Sequence, residues 1–289
     1  MNQKKNRNIA LVGADSLLGE ELRRLEPWPM TYFAAEESEE TLMVPVGEGV
    51  GIVHPHSQLD TEDYDVLLDV SDHPAIPPQP HRHLYIYAGA GSPPEDAALW
   101  MPHVTRETDG RYRLPHPSIL LLEPILPLET MRTFSAISLV SLQGASVRGR
   151  SAREALVSET VQLLEYGAEG SKHHAFNLIP RGKRGHLSLD LRELVSDQPM
   201  LSAREIESPT FHGIALAVSF TARNETAARS LFSGIRTRMN NRSRVNLFLS
   251  VKEERTMITD LGRDRTTVWF TLFADEILNG VIPALQTIL

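Results

Sequence analysis

The stretch Ile9-Ala-Leu-Val-Gly-Ala-Asp-Ser-Leu-Leu-Gly19 limits the fold more than any other part of the chain. A continuous apolar run from Asn8 to Val12 stops at Gly13, and Leu18, Leu22 and Leu25 then recur at helical spacing until Pro27. This is a strand, a tight turn and a helix. In a dinucleotide-binding turn, glycines let the backbone approach a pyrophosphate that rests on the helix N-terminus. Gly13 and Gly19 meet that need, but Ser16 stands at the middle glycine position. A serine there can cap the helix, while its Cβ crowds the phosphate. Gly13, Ser16, Leu17 and Gly19 are therefore the candidate cofactor-binding residues of the turn.

More strands follow. Thr31 to Ala35, Leu42 to Val46, Asp65 to Val70 and Leu84 to Ala88 read as strands, and their order with helices and turns suggests a parallel α/β sheet. The second of the chain's strands ends in Ala34-Ala-Glu36-Glu-Ser-Glu-Glu40. Glu36 falls where a dinucleotide fold meets the adenosine ribose, where an acid favours NAD and disfavours NADP; the plainer reading of the acidic run is a solvated loop. His73 to Pro80 holds too many prolines for a helix and reads as an extended loop.

Past Pro117 the pattern changes. Phe134 to Leu142 reads as a strand, and Ser151-Ala-Arg-Glu154 as a capping box opening a helix that buries Ala152, Leu156, Leu163 and Leu164. Ile214 to Thr221 alternates cleanly, and a helix capped near Asn224 follows. Val245, Leu247, Leu249 and Val251 alternate again; Val268 to Phe273 is the last strand, and a final helix carries Ile277, Val281, Ile282 and Leu285. Alternating strands with helices on one face describe a largely antiparallel α+β sheet. There is no internal repeat.

Charge and composition narrow the function. The net charge of -8 argues against nucleic acid, which draws affinity from clustered Lys and Arg. Arg181-Gly-Lys-Arg184 reads as a solvated turn. With no cysteine, thiolate metal sites, disulfides and thiol nucleophiles are excluded. The basic start, Met1 to Arg7, precedes too short an apolar run for a signal peptide or membrane span, so a cytoplasmic location with no membrane partner is expected.

Four stretches in register resemble aspartate-semialdehyde dehydrogenase. Val12-Gly-Ala-Asp-Ser-Leu-Leu-Gly19 resembles that family's Val-Gly-Ala-Thr-Gly-x-Val-Gly, and Ser141-Leu-Gln-Gly-Ala-Ser146 with Gly149 its Tyr-Gln-Ala-Val-Ser-Gly-x-Gly. Phe176-Asn-Leu-Ile-Pro180 is similar to its Phe-Asn-Val-Ile-Pro, and Ala274-Asp-Glu-Ile-Leu-Asn-Gly280 to its Asp-Asn-Leu-Arg-Lys-Gly. The resemblance implies a Rossmann-like domain over 1–116, completed by the C-terminal helix 274–289. An α+β dimerisation domain over 117–265, through which two copies pair, is implied as well.

The departures fall on the chemistry. The family's nucleophilic cysteine corresponds to Pro117, within Pro115-His-Pro-Ser118, and proline cannot form a thioacyl-enzyme. Its basic histidine corresponds to Ile214, which cannot take a proton. The substrate-binding arginine falls near Glu207, whose charge would repel an acidic substrate, and the Arg-Lys before the last glycine is Leu278-Asn279. Gln143 alone matches an active-site polar residue, and reads equally as a strand-end side chain satisfying nearby backbone; His116, Ser118 and Gln143 are the candidate residual cleft. The segment between Asp72 and His83 is shorter than the family's equivalent. In these losses the chain resembles the family's non-catalytic Usg-type paralogues.

Other constellations are thinner. Ser118 with His116 or His212 could form a nucleophile and base, yet no orienting acid is evident, and Ser118 reads more simply as first-turn helix. His54-Pro-His56 and His81-Arg-His83 have zinc-like spacing without a third ligand, so no metal is expected. One histidine of His173-His174 could line the cleft, and surface exposure is the default reading. The expected function is a degenerate, non-catalytic binding, regulatory or partner subunit, a homodimer or a partner of a functional paralogue, retaining NAD at most. The alternative is an NAD-dependent oxidoreductase that acts on a small carbonyl substrate without a thioester.

Overall fold

A computed structural model describes residues 7–35, 40–76, 84–102, 105, 110–166, 174–181, 186–195, 200–239, 247–252 and 254–289. The chain divides into two compact units. One comprises Met1–Leu114, Arg148–Arg150 and Thr287–Leu289, and the other Pro115–Val147 with Ser151–Gln286. The segment 274–286, which the resemblance attached to the first domain, groups instead with the second unit.

In chain order the first unit holds β1 (Ile9–Val12), α1 (Leu17–Leu25), β2 (Thr31–Phe33), β3 (Leu42–Val46), β4 (Gly49–His54), β5 (Val66–Asp69), β6 (Leu84–Tyr87), β7 (Ala98–Leu99) and β8 (Gly110–Arg113). They form one sheet, ordered β3-β4-β2-β1-β5-β6-β8-β7. All neighbours are parallel except the β3–β4 hairpin. The continuous apolar runs of β1, β5 and β6 are buried throughout, as a parallel sheet requires. Strand β1 lies between β2, its successor, and β5, so the strand order reverses beside it; open α/β sheets bind ligands at such a switch point. At the far edge, the buried Arg23 of α1 donates from Nε to Ala14 O at 2.9 Å and from Nη1 to Pro45 O at 3.0 Å.

The second unit runs α2 (Pro117–Leu122), α3 (Leu128–Met131), β9 (Ala136–Gln143), α4 (Arg150–Tyr166), β10 (Ile179–Pro180), α5 (His186–Leu194), β11 (Met200–Glu207), β12 (Ile214–Thr221), α6 (Glu225–Arg236), α7 (Leu247–Lys252), β13 (Met257–Asp264), β14 (Thr267–Ala274) and α8 (Ile282–Ile288). Its sheet is ordered β10-β11-β9-β12-β14-β13, and only the β11–β9 pair is parallel. Period-two alternation sends Ile137, Leu139, Leu216, Val218, Phe220, Phe270 and Leu272 to a buried face. There Phe134 stacks on Phe220 at 4.6 Å, and Phe220 meets Phe270 edge-on at 6.4 Å. Burying each such side chain contributes about 1.5–3 kcal/mol. Asn224 caps α6 through Ala227 N–H, as its sequence position suggests.

Two readings need correction. Leu247 to Val251 is helical, not a strand; Leu247 and Val251 stand at the i, i+4 spacing of a helix and face Gly213. The edge position in the sheet is taken by β13, whose register shifts between Thr259 and Gly262 with Asp260 at φ 55°. On α4, Leu156 is buried and Leu163 packs beside it, but Leu164 is 74% exposed. Among the described residues, no helix is long and apolar enough to cross a membrane.

Candidate functional site

The Gly-rich turn folds as its residues suggest. Gly13 has φ +81°, and a Cβ there would meet Ser71 N at 2.5 Å. Gly19 is as tightly held: a Cβ would lie 2.3 Å from Gly13 O. Both glycines thus join the end of β1 to the start of α1 and to the loop after β5. Ser16 caps α1, its Oγ accepting from Gly19 N–H at 3.0 Å, and Leu17 opens the helix. Arg150 lies against the same turn, donating twice to Asp15 O, at 3.1 and 2.8 Å, and pairing with Glu20. Asp72 is half-buried beside Gly149, and burial raises its carboxyl above the usual range. Glu36, the ribose candidate, lies outside the described residues.

The residual-cleft candidates come together within the second unit. His116 caps α2, and its Nδ1 accepts from Ser118 N–H at 3.1 Å. Its backbone N–H donates to Asp190 Oδ2 at 2.7 Å, which ties α2 to α5. Its Nε2 stands 3.0 Å from the Gln143 side-chain amide. Burial lowers the His116 pKa to about 4 against the opposing pull of Glu205 and Asp190, so the ring is neutral near pH 7. Ser118 is fully buried and bonds Ser141 Oγ at 2.8 Å. The His116 ring meets the backbone of Ser118, not its hydroxyl, so the pair does not form a nucleophile and base.

Pro117 is the first residue of α2, where its missing N–H costs no helix bond. Ile214 is wholly buried and pairs with Gln143 and Ala274 across the sheet. Glu207 faces Gln143 in register on β11. A guanidinium does reach this place, but from the loop after β10: Arg181 Nε bonds Glu207 Oε1 at 2.8 Å, and His174 Nδ1 lies 3.0 Å from Oε2. Arg181 is therefore no solvated turn residue, and of the two histidines His174 is the one that meets Glu207. Glu205, one pleat away, accepts from Leu187 N–H at the start of α5 at 2.8 Å. His54 pairs with Gln58, while His81, His83 and His173 lie outside the described residues.

The sequence left Asp190 and Glu205 unmarked and gave Arg181 and Glu276 no site role, because no local pattern announces a side chain that acts across the fold. Glu276 is buried, accepts from Gly213 N–H at 2.9 Å and from the Ser146 hydroxyl, and is pushed up to about 7 by burial and by Asp275. Among the described residues, no group of three His, Cys, Asp or Glu could hold a metal ion.

No protein-family model matches the chain, and no curated protein matches it in sequence. Solved structures match its fold over nearly its full length. A probable aspartate-semialdehyde dehydrogenase from Pseudomonas aeruginosa has a TM-score of 0.76 at 15% identity, covering 97% of this chain and 96% of that one. Aspartate semialdehyde dehydrogenase II from Vibrio cholerae, in complex with ASA, reaches 0.78 at 16% identity, covering 98% and 97%. The enzyme from Francisella tularensis reaches 0.69 at 12% identity, covering 96% and 98%. At these identities the likeness shows a shared fold, with a Rossmann-like part and a second domain.

Proposed function

We propose that this chain is a non-catalytic protein built on the aspartate-semialdehyde dehydrogenase fold, acting as a binding, regulatory or partner subunit. The observation that carries the reading is Pro117 at the head of α2, between His116 and Ser118, whose polar side-chain groups bond inward. A thioacyl intermediate needs a nucleophile at that place, and a proline supplies none. The base position is the buried Ile214. Among the described residues, the buried Glu205 and Glu207 meet the half-exposed guanidinium of Arg181, at the place where the family's substrate-binding arginine would stand.

The fold family implies a dinucleotide, and the glycine backbone of the Gly13–Gly19 turn supports one, with the Ser16 Cβ as the group that crowds it. With Ser16 bonded to Gly19, the first-turn amides of Leu17 and Leu18 would hold a diphosphate. The dinucleotide, when bound, would supply a hydride acceptor. NAD is preferred over NADP because of Glu36. This turn also supports a second reading, an oxidoreductase acting on a small carbonyl compound by direct hydride transfer. That reading still needs an acid or base, and His116 has both ring nitrogens engaged.

We place a homodimer contact on the less-covered face of the second sheet, where Ala217 and Trp269 are exposed and Val140, Ser219 and Thr271 half-buried. A functional paralogue would be the other partner for that face.

The test is an assay with aspartate semialdehyde, phosphate and either nucleotide, run beside calorimetric titration of NAD and NADP. No turnover, with heat from NAD, is expected. Phosphate-dependent reduction of either nucleotide would overturn the non-catalytic reading.

A further inference from the structure

A dinucleotide spans the switch point of an open α/β sheet, with one nucleotide over the strand ends on each side of it. In the first unit the adenosine side is the end of β2, and the other side is the ends of β5 and β6. The two sides differ. Beyond β2 the chain lies open: Asp15 is exposed, and its Oδ1 accepts the Ala35 N–H at 3.3 Å across the end of that strand. Beyond β5 and β6 the chain fills its own crevice. Ser71 lies against Gly13, where an added Cβ would fall 2.5 Å from Ser71 N. A Cβ on Gly89 would overlap Ser71 O, one on Gly91 would overlap Asp72 O, and one on Gly149 the Asp72 carboxylate. The loops after β1, β5 and β6 thus meet backbone to backbone, with no room for a methyl group at these points.

Asp69, the last residue of β5, locks this filling in place. It is wholly buried, and its Oδ1 accepts the Ser71 N–H at 3.1 Å and the Ser71 hydroxyl. Its Oδ2 accepts from Ala75 N–H at 2.9 Å, from Ile76 N–H at 3.4 Å and from Tyr85 Oη at 3.1 Å. Tyr87 Oη donates to Ser71 O at 3.3 Å from the neighbouring strand. Charge-assisted bonds of this kind are the strong ones, and here water does not compete for them. Residues 71–76 are therefore folded back over the strand ends and held there.

We infer that residues 71–76 are a built-in plug over β5 and β6, and that the Gly13–Gly19 turn takes an adenosine diphosphate group alone. The second nucleotide of NAD then projects unheld, which suits a binding protein and leaves the nicotinamide without the positioning that hydride transfer needs. The inference rests on the dinucleotide reading of the turn and names the part of that ligand which is held.

Calorimetric titrations of the full chain with NAD, ADP and nicotinamide mononucleotide test it, beside amide hydrogen exchange. ADP should bind at least as tightly as NAD, and the mononucleotide should give no saturable heat up to about 1 mM. A second nucleotide held by even two ordinary hydrogen bonds would favour NAD by about tenfold or more. Exchange at the Ala75 and Ile76 amides, which Asp69 holds, should be the same with NAD bound as without it. NAD binding about tenfold tighter than ADP, saturable binding of the mononucleotide, or faster exchange at Ala75 with NAD would overturn the plug and leave the dinucleotide reading standing. Heat from neither NAD nor ADP would end both.

Discussion

Glu276 reaches from the end of β14 to the backbone N–H of Gly213, at the head of β12, and accepts its hydrogen bond at 2.9 Å. The same carboxyl holds Ser146, so one buried acid ties three segments of the second unit. Burial and Asp275 push it from 4.5 up to about 7. The folded chain therefore keeps this proton where the unfolded chain has lost it. Stability from this group is full below pH 4.5 and is lost as pH rises through about 7. Glu276→Gln, which keeps both an acceptor and a donor, should flatten the fall in Tm across that window. An unchanged slope in thermal melts would refute the assignment.

His116 gives the opposite slope. Its folded pKa is lowered from 6.5 to about 4, so the unfolded chain binds the proton first as pH falls. Stability from this group is present above 6.5 and lost as pH falls toward 4. Asparagine also caps helices well, so His116→Asn should keep α2 and remove much of this acid sensitivity. Urea midpoints at a series of pH values would show it, and an identical acid slope in the variant would count against a neutral His116.

Gly13→Ala should be costly, since its Cβ would fall 2.5 Å from Ser71 N at a backbone φ of +81°. A loss of about 2 kcal/mol or more is expected. Gly234, with nothing within 4 Å of an added Cβ, is the control, and Gly234→Ala within α6 should be neutral or stabilising. Equal denaturation midpoints for the two variants would contradict the close packing at the turn.

Ser118 should resist a fluorophosphonate probe. Its hydroxyl is buried against Ser141 at 2.8 Å, away from the His116 ring nitrogens. Covalent labelling at Ser118, read by mass spectrometry, would revive a serine-hydrolase reading.

Trp269→Glu should convert the proposed dimer to a monomer in sedimentation without loss of fold, because the indole is 38% exposed on the less-covered sheet face. A dimer that survives the change would move the contact elsewhere.

The strands with clean alternation could be read from the chain, as β12 and β14 show, because burial on one face imposes period two. β13 escaped notice: Asp260 and Gly262 break its pattern where the register shifts, so no uniform period survives. α7 misled in the other direction, since apolar residues two apart include pairs four apart, and only packing on Gly213 chooses between the periods. At the site, His116 and Gln143 were marked by their neighbours in the motif stretches. Asp190, which holds His116 from 74 residues away, and Arg181, which meets Glu207 across 26, carry no such mark. Their partnership exists only once α5 and β11 have folded beside α2.

Arg23 has a consequence beyond its own hydrogen bonds. The β3–β4 hairpin exposes Met43, Val50 and Ile52 at the rim of the first sheet, an apolar strip of the kind that recruits a further strand from another molecule. Pro45, in the middle of β3, has no N–H to offer such a strand, and its carbonyl is already held by Arg23 at 3.0 Å. The rim is thus a broken template, and fibre growth from this edge would have to begin by prising a guanidinium off its own backbone. Arg23→Ala should for that reason make the protein more prone to aggregate, even where its fold endures.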